Sequence, residues 1–134
     1  MDSGYSGTPL PKKLGIREGT RVALVAAPKG FSDLLGALPL RAKVTRSGSG
    51  EADVILLFVT RVAALLDAFP AAAARMPGGG GMLWVAWPKK GSATATDLSF
   101  DVVQKLGLDA GLVDTKICAI NATWSGLRFS RRRT

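Results

Sequence analysis

Apolar residues recur along the chain in short runs that are separated by polar or glycine-rich breaks. The runs at residues 21–27, 54–59 and 82–87 are almost continuously hydrophobic and have the length of strands. Continuous hydrophobicity is typical of parallel strands that are covered on both faces of a sheet. A weaker strand is predicted at residues 42–46. The pattern therefore predicts a mainly parallel sheet at the centre of the fold.

Helical segments are predicted between these strands. They cover residues 33–38, 61–76 and 97–106, with N-caps expected at Ser32, Thr60 and Thr96. In the third segment Leu98, Val102 and Leu106 repeat every four residues and predict its buried stripe. Gly107 fits the position that follows a helix end. Pro70 has no N–H to donate and is expected to kink or restart the second helix.

The C-terminal part of the chain changes character. Residues 113–120 and 124–130, joined by a polar turn, predict an antiparallel hairpin. The alternation of strands and helices predicts a three-layer α/β fold whose sheet has about six strands, with the hairpin at one edge. The exposed edge of this hairpin would allow a dimer. Residues 1–13 are predicted to be a flexible lead-in, and residues 14–134 one domain.

Composition excludes several kinds of chemistry. The chain has 134 residues, of which 47% are hydrophobic, and this is enough for a core without metal or disulfides. There is no histidine, which excludes Ser-His-Asp triads and histidine-bearing zinc sites. Cys118 is the one cysteine and cannot form an internal disulfide. We expect no signal peptide, no membrane span and a cytoplasmic location.

Three segments resemble class I methyltransferases. These are LGIREGTRVALVAAP, ADVILLFV and PGGGGMLWVAW, and the resemblance implies a shortened Rossmann-like fold and S-adenosylmethionine as cofactor. The chain departs from the family in two places. Residues 26–31 replace the glycine-rich turn after the first strand, and Arg46-Ser47 stands where the family has an acidic residue for the ribose hydroxyls. One strand–helix unit is also missing, and we predict no bound cofactor.

A second resemblance covers nearly the whole chain. The segments GYSGTPLPKKLGI, WVAWPKK, LVDTKICAI and TWSGLRFSRR are similar to a family of small bacterial proteins catalogued as a domain of unknown function. This resemblance implies no established activity. From this resemblance we expect the chain to be of bacterial origin.

Ligands of open parallel sheets bind outside the carboxyl ends of the strands. The loops that are predicted there, together with the hairpin turn, supply the candidate ligand-binding residues Lys29, Gly30, Arg61, Trp87, Lys89, Asn121, Trp124 and Ser125. One interpretation is an anion-binding crevice with Trp87 and Trp124 as aromatic walls. The other is a solvated basic rim around two tryptophans of the core or of an interface. Lys89 would contact phosphate or carboxylate in the first case and solvent in the second.

The basic residues suggest a further partner. Lysine and arginine number 18 against 10 acidic residues, for a net charge of +8. The candidates for salt-dependent contacts to nucleic acid are Arg128, Arg131, Arg132 and Arg133, with Lys12 and Lys13. No known nucleic-acid-binding motif accompanies them. A solvated basic tail is the alternative.

Other residues carry weaker signals. Cys118 lies in an apolar run and is interpreted as a buried, inert thiol. Asp97 and Asp101 are predicted to share a helix face, where surface carboxylates are favoured over an acid–base pair or a Mg²⁺ site. We predict no metal site. The glycine run at residues 78–81 lacks the spacing of a phosphate loop and is interpreted as a turn.

The sequence thus favours a non-catalytic Rossmann-like module that holds an anionic small molecule or a protein partner at its basic rim. The alternatives are a divergent S-adenosylmethionine-dependent methyltransferase and a nucleic-acid or ribosome accessory protein. Binding of S-adenosylmethionine would favour the first alternative. A steep dependence of binding on salt, lost with the arginine tail, would favour the second.

Overall fold

A six-stranded sheet with helices on both faces forms the centre of the molecule. The computed structural model describes residues 8–46 and 48–132. The strands are β1 (Arg21–Val25), β2 (Lys43–Thr45), β3 (Val54–Phe58), β4 (Met82–Pro88), β5 (Leu112–Ala119) and β6 (Trp124–Arg131). The helices are α1 (Leu10–Leu14), α2 (Phe31–Leu35), α3 (Val62–Ala74) and α4 (Phe100–Asp109).

The strands follow the order β2-β1-β3-β4-β6-β5 across the sheet. The first four of these are parallel, whereas β6 is antiparallel to β4 and β5 is antiparallel to β6. Every residue of β3 is buried, as expected for a strand covered on both faces. The predicted α/β fold, with a mostly parallel sheet and a C-terminal antiparallel hairpin, is therefore confirmed.

Successive side chains of each strand point to opposite faces of the sheet and fill two separate cores. On one face Ile55 belongs to a buried cluster with Leu65 of α3 and with residues of α4. On the other face Leu56 belongs to a cluster with Leu14 of α1 and Phe31 of α2. We call these the α3/α4 face and the α1/α2 face.

The fourth helix begins at Phe100, three residues later than the pattern predicts. Ser99 is its N-cap and accepts a hydrogen bond from Val102 N at 3.4 Å. Of the predicted stripe, Leu98 is buried but lies before the helix, Leu106 packs against the core, and Val102 is exposed. The buried residues of α4 are Val103 and Gly107, and Leu106 is partly buried.

Gly107 lies inside α4, so the prediction that it follows the helix end is wrong. A Cβ atom at this position would overlap the ring of Phe129 on β6. Phe129 is fully buried. Because glycine has no side chain, α4 approaches the sheet more closely here than any other residue would allow.

Three further helix predictions need correction. Helix α2 begins after Gly30, which has φ of 84°, and not after Ser32. Helix α3 has Arg61 and not Thr60 at its N-cap, and it runs through Pro70 without a restart. Helix α1, which ends at Gly15, is not predicted by the pattern. Within the described residues, no helix is long and apolar enough to cross a membrane.

Candidate functional site

The loop after β1 is anchored to the core and leaves Lys29 in solvent. Phe31 N donates to Pro28 O at 3.1 Å and closes the turn. Gly30 adopts the left-handed conformation that glycine tolerates best. Phe31 then packs into the α1/α2 face, where its ring centroid lies 4.8 Å from that of Phe58. The turn is therefore rigid at its base and exposed at its tip.

Arg46 follows β2 and bonds to this same loop. Its Nη1 and Nη2 atoms donate to Ala27 O and Pro28 O at 3.3 and 3.4 Å. A guanidinium group has N–H donors and no acceptor, so it cannot accept a hydrogen bond from a ribose hydroxyl. The guanidinium of Arg46 therefore offers no acceptor to the ribose hydroxyls of S-adenosylmethionine, and its charge favours an anion.

The loop between β4 and α4 is tied to the start of α3. Thr96 Oγ1 donates to Thr60 O at 2.6 Å and accepts from Leu98 N at 3.0 Å. Asp97 Oδ1 accepts from Val62 N at 2.8 Å and so caps α3 from a distant part of the chain. The prediction that Thr96 and Asp97 open α4 is therefore wrong. Their side chains fix the loop against α3.

The turn of the β5–β6 hairpin is shaped by Asn121. Its Oδ1 atom accepts from both Thr123 N and Trp124 N at 2.8 Å. Thr123 O in turn accepts from Lys89 N at 2.6 Å. The hairpin turn and the loop after β4 are thus joined, and the side-chain oxygen of Asn121 is already engaged in the turn.

Trp87 and Trp124 lie on opposite faces of the sheet. Trp87 is buried in the cluster of the α3/α4 face and pairs in register with Ser125. Trp124 packs on the α1/α2 face, where its ring centroid is 5.1 Å from that of Phe58. The two rings therefore cannot be the two walls of one crevice, and that part of the prediction is wrong.

A cavity of about 630 Å³ opens beside the carboxyl end of β4. Its volume falls in the range of about 300–1,000 Å³ that is typical of small-molecule sites. We call it the carboxyl-rim cavity. It is lined by Trp87, Lys89, Lys90, Gly91, Thr94, Thr96, Asp97, Leu98, Ser99, Phe100, Ile117 and Ser125.

The structure brings together only part of the predicted set. Trp87, Lys89 and Ser125 line the carboxyl-rim cavity, whereas Lys29, Gly30, Arg61, Asn121 and Trp124 are not among its lining residues. Thr94, Phe100 and Ile117 also line the cavity and were not predicted from the sequence. The side on which Ile117 projects depends on the β-bulge between Asp114 and Lys116, which no local pattern announces.

Cys118 is half-buried on the α1/α2 face. Burial raises the pKa of its thiol above the ordinary value, and the positive charges of Lys13, Lys116, Arg128 and Lys89 act in the opposite direction. The effect of burial is the larger one. The thiol is therefore protonated at neutral pH, which agrees with the interpretation of an inert thiol.

The C-terminal arginines lie at the opposite edge of the sheet from the carboxyl-rim cavity. Arg131 donates to Met76 O at 2.9 Å and to Pro77 O at 3.4 Å. It is therefore anchored to the turn before β4. Arg132 is exposed, and Arg133 lies outside the described residues.

Two carboxylates in this half of the molecule, those of Asp109 and Asp114, have structural partners. Lys105 Nζ donates to Asp109 at 3.0 Å, and Gln104 Nε2 donates to Asp114 at 3.1 Å. Asp101 is exposed in the first turn of α4, whereas Asp97 lies outside that helix. The predicted shared helix face is therefore wrong. In the described part of the chain, no group of three or more His, Cys, Asp or Glu side chains is placed to hold a metal ion.

Solved structures of methyltransferases share this fold. A SAM-dependent methyltransferase from Aquifex aeolicus matches with a TM-score of 0.62 and 14% identity, over 90% of this chain and 87% of that one. A ribosomal protein L11 methylase from Lactobacillus delbrueckii subsp. bulgaricus matches with a TM-score of 0.60 and 12% identity, over 92% of this chain and 75% of that one. The O-methyltransferase NcsB1 of neocarzinostatin biosynthesis, in complex with S-adenosylmethionine, matches with a TM-score of 0.60 and 18% identity. The match covers 82% of this chain and 48% of that one.

These similarities establish the class I methyltransferase-like fold of the chain. Identities this low concern the fold and not the activity. No family model matches the chain, and no curated protein matches it.

Proposed function

We propose that the chain is a binding module that holds an anionic small molecule, or an anionic segment of a protein partner, at its carboxyl rim and does not transfer methyl groups. The observation that carries this proposal is the carboxyl-rim cavity, where Lys89 and Lys90 stand beside the apolar side chains of Trp87 and Ile117. Small-molecule sites typically combine an apolar lining with a few fixed polar groups.

The position of Lys89 supports an anionic ligand. Its backbone is held on both sides, because Lys89 N donates to Thr123 O at 2.6 Å and Lys89 O accepts from Ser92 N at 3.0 Å. The side chain therefore extends from a fixed base. An ammonium group is a compact positive charge that suits phosphate or carboxylate.

The apolar part of the cavity supports a ligand with an apolar body. Ile117 is 54% exposed and Phe100 is 36% exposed. A ligand that covered these side chains would remove apolar surface from water, which contributes about 25 cal/mol per Å². We therefore expect an aromatic or aliphatic carboxylate or phosphate in preference to a bare inorganic ion.

Methyl transfer from S-adenosylmethionine is the second candidate. The shared fold supports it, since proteins of this fold include methyltransferases in complex with that molecule. The position of Arg46 argues against methyl transfer. Its guanidinium bonds to the β1 loop at the place where the resemblance to methyltransferases implies an acceptor for the ribose, and a guanidinium has no acceptor. The predicted resemblance to small bacterial proteins of unknown function is compatible with either candidate.

A thermal-shift titration separates the two candidates. The probes are phenyl phosphate, indole-3-acetate and S-adenosylmethionine, each measured against a salt-matched blank. A ligand at about 100 times its Kd adds about 2.7 kcal/mol. For a chain of 134 residues this corresponds to a rise in Tm of about 10 °C.

Variants then test the site. Lys89→Gln/Lys90→Gln should abolish the shift that an aromatic anion produces, whereas Lys43→Gln/Lys105→Gln removes the same charge elsewhere and should preserve it. A saturable shift with S-adenosylmethionine alone would overturn the proposal in favour of the second candidate. Equal losses in both double variants would show that net charge, and not the cavity, holds the anion.

A further inference from the structure

Asp97 places a negative charge at the wall of the carboxyl-rim cavity. It lines the cavity together with the two basic residues Lys89 and Lys90. Its Oδ1 atom accepts from Val62 N at 2.8 Å, so the carboxylate is held at the wall by a bond to α3. A carboxylate repels a ligand that carries negative charge alone. The cavity therefore presents both signs of charge to its ligand.

The cap of α3 requires an oxygen of Asp97 and not its charge. Asparagine and serine cap helices about as well as aspartate does, because each offers a side-chain oxygen to a backbone N–H. An ionised carboxylate has about four acceptor positions. Among the described residues, the hydrogen bond from Val62 N is the one that this carboxylate accepts. Acceptor positions are therefore left for a ligand that donates hydrogen bonds.

The charged groups of the cavity do not neutralise one another. In the part of the chain that the structure describes, none of Lys89, Lys90 and Asp97 takes part in an ion pair. The ammonium groups and the carboxylate therefore lie apart along the same cavity. A ligand that carries a negative and a positive group would meet the opposite charge at two separate places.

We propose that the carboxyl-rim cavity binds a free α-amino acid with an apolar side chain. This inference rests on the proposed function and narrows its ligand from an anion to a zwitterion. The carboxylate of the ligand would bind Lys89 or Lys90, and its ammonium group would donate to Asp97. Its side chain would cover Ile117 and Phe100, which are 54% and 36% exposed.

The apolar lining of the cavity favours a free amino acid over a peptide terminus. Trp87 and Leu98 form a buried part of the lining and belong to the core of the α3/α4 face. An apolar side chain on this surface would bring both charged groups of its own α-carbon to the wall. A peptide terminus carries only one of these charges beside its last side chain, because the other group is consumed in the peptide bond.

Isothermal titration calorimetry with L-phenylalanine and 3-phenylpropionate tests the inference, since the two probes differ by the ammonium group alone. We expect the wild type to bind L-phenylalanine about fivefold more tightly, the factor that corresponds to the upper range of exposed ion pairs. Asp97→Asn should reduce this ratio of Kd values to about one. The amide oxygen of asparagine can still accept from Val62 N, so this variant should fold. N-acetyl-L-phenylalanine, which lacks the ammonium group, should bind no more tightly than 3-phenylpropionate.

Asp101→Asn is the matched control for Asp97→Asn. Asp101 is exposed in the first turn of α4 and is not among the described residues that line the cavity. The variant removes the same charge and should leave the ratio at about five. An equal fall of the ratio in both variants would overturn the inference in favour of net charge. Tighter binding of N-acetyl-L-phenylalanine than of L-phenylalanine would overturn it in favour of a peptide.

Failure of the inference and failure of the proposed function give different results. If the wild type binds 3-phenylpropionate as tightly as L-phenylalanine, the cavity holds anions without recognising the ammonium group, and the inference alone is overturned. If neither probe binds at concentrations up to about 10 mM, the proposed function is overturned as well. S-adenosylmethionine also carries an α-amino acid group and is the third probe. Its binding in the absence of L-phenylalanine binding would overturn the inference in favour of methyl transfer.

Discussion

Gly107→Ala sets two effects of opposite sign against each other within α4. Alanine is favoured over glycine in a helix interior by about 0.8–1.0 kcal/mol. The added Cβ atom, however, would overlap three atoms of the Phe129 ring. Overpacking of a dense core typically costs about 1–3 kcal/mol. The sign of the change in the free energy of unfolding therefore shows whether helix propensity or core packing has the larger effect at this position.

The surroundings of Phe129 indicate that packing wins. Its ring is fully buried, and its centroid is 6.0 Å from that of Phe69 in an edge-to-face arrangement. The added Cβ atom would therefore meet a buried ring that already packs against a second ring. With an overpacking cost near the upper end, we expect a net loss of about 2 kcal/mol. For 134 residues the entropy of unfolding is about 0.28 kcal/mol/K, so Tm should fall by about 7 °C.

Urea denaturation followed by tryptophan fluorescence measures this change. Lys105→Ala is the matched control, since Lys105 is exposed on the same helix and surface substitutions usually change stability by less than about 0.5 kcal/mol. Phe129→Leu and the double variant with Gly107→Ala complete a double-mutant cycle, in which the smaller side chain should relieve part of the cost. An increase in stability of about 1 kcal/mol for Gly107→Ala would refute the reasoning, because helix propensity alone would then suffice.

Three other predictions concern single side chains. Asp97→Ala removes the cap of α3 and should lower the free energy of unfolding in urea by about 1 kcal/mol, whereas Asp67→Ala, exposed within α3, should not. The hydrogen bond from Arg21 lowers the pKa of Asp53. The stability difference between the wild type and Asp53→Asn should therefore be present above a pH of about 4 and disappear as the pH falls through the lowered folded-state pKa. A difference that is unchanged at a pH of about 2 would contradict this. Because burial raises the pKa of Cys118, its thiol should react with dithiobis(nitrobenzoate) more slowly than free cysteine at neutral pH and faster as the pH rises.

The central strands could be predicted because strands that are buried on both faces are continuously apolar in sequence. Residues 54–59 are continuously apolar, and the strand observed there is Val54–Phe58, buried throughout. The same reasoning holds for β4, predicted at residues 82–87 and observed as Met82–Pro88. A strand covered on both faces has no polar side to confuse with a helix. Local sequence is therefore enough for these elements.

The start of α4 could not be predicted, because distant partners decide it. Thr96 and Asp97 have the residue types of a helix N-terminus, and a local reading places them at the start of α4. Thr96 Oγ1 instead donates to Thr60 O, and Asp97 Oδ1 accepts from Val62 N. Both partners lie at the start of α3, about 35 residues earlier in the chain. Ser99, the next suitable residue, becomes the cap. The competition between equivalent caps is settled by tertiary contacts.

The candidate site is predictable only as a region. The α/β topology places the loop after β4 at the carboxyl edge of the sheet, which predicts Lys89 there, and the hairpin turn reaches the same edge, which predicts Ser125 there. The face on which each side chain projects depends on strand register and on the bulge in β5. A shift of one residue moves a side chain to the other face. Trp87 and Trp124 were paired by sequence reasoning and are separated by the sheet for this reason.

Different residues determine the fold of this chain and its binding surfaces. The methyltransferase-like architecture rests on buried strand residues such as Leu56 and Trp84, which do not reach the rim. Arg46 follows β2 and donates to the β1 loop, so its guanidinium places a positive charge at that rim. A guanidinium has donors and no acceptor, so Arg46 affects the chemistry of the rim without changing the sheet. Structural similarity to methyltransferases therefore constrains the scaffold, and the charged residues at its edges are what the binding experiments must test.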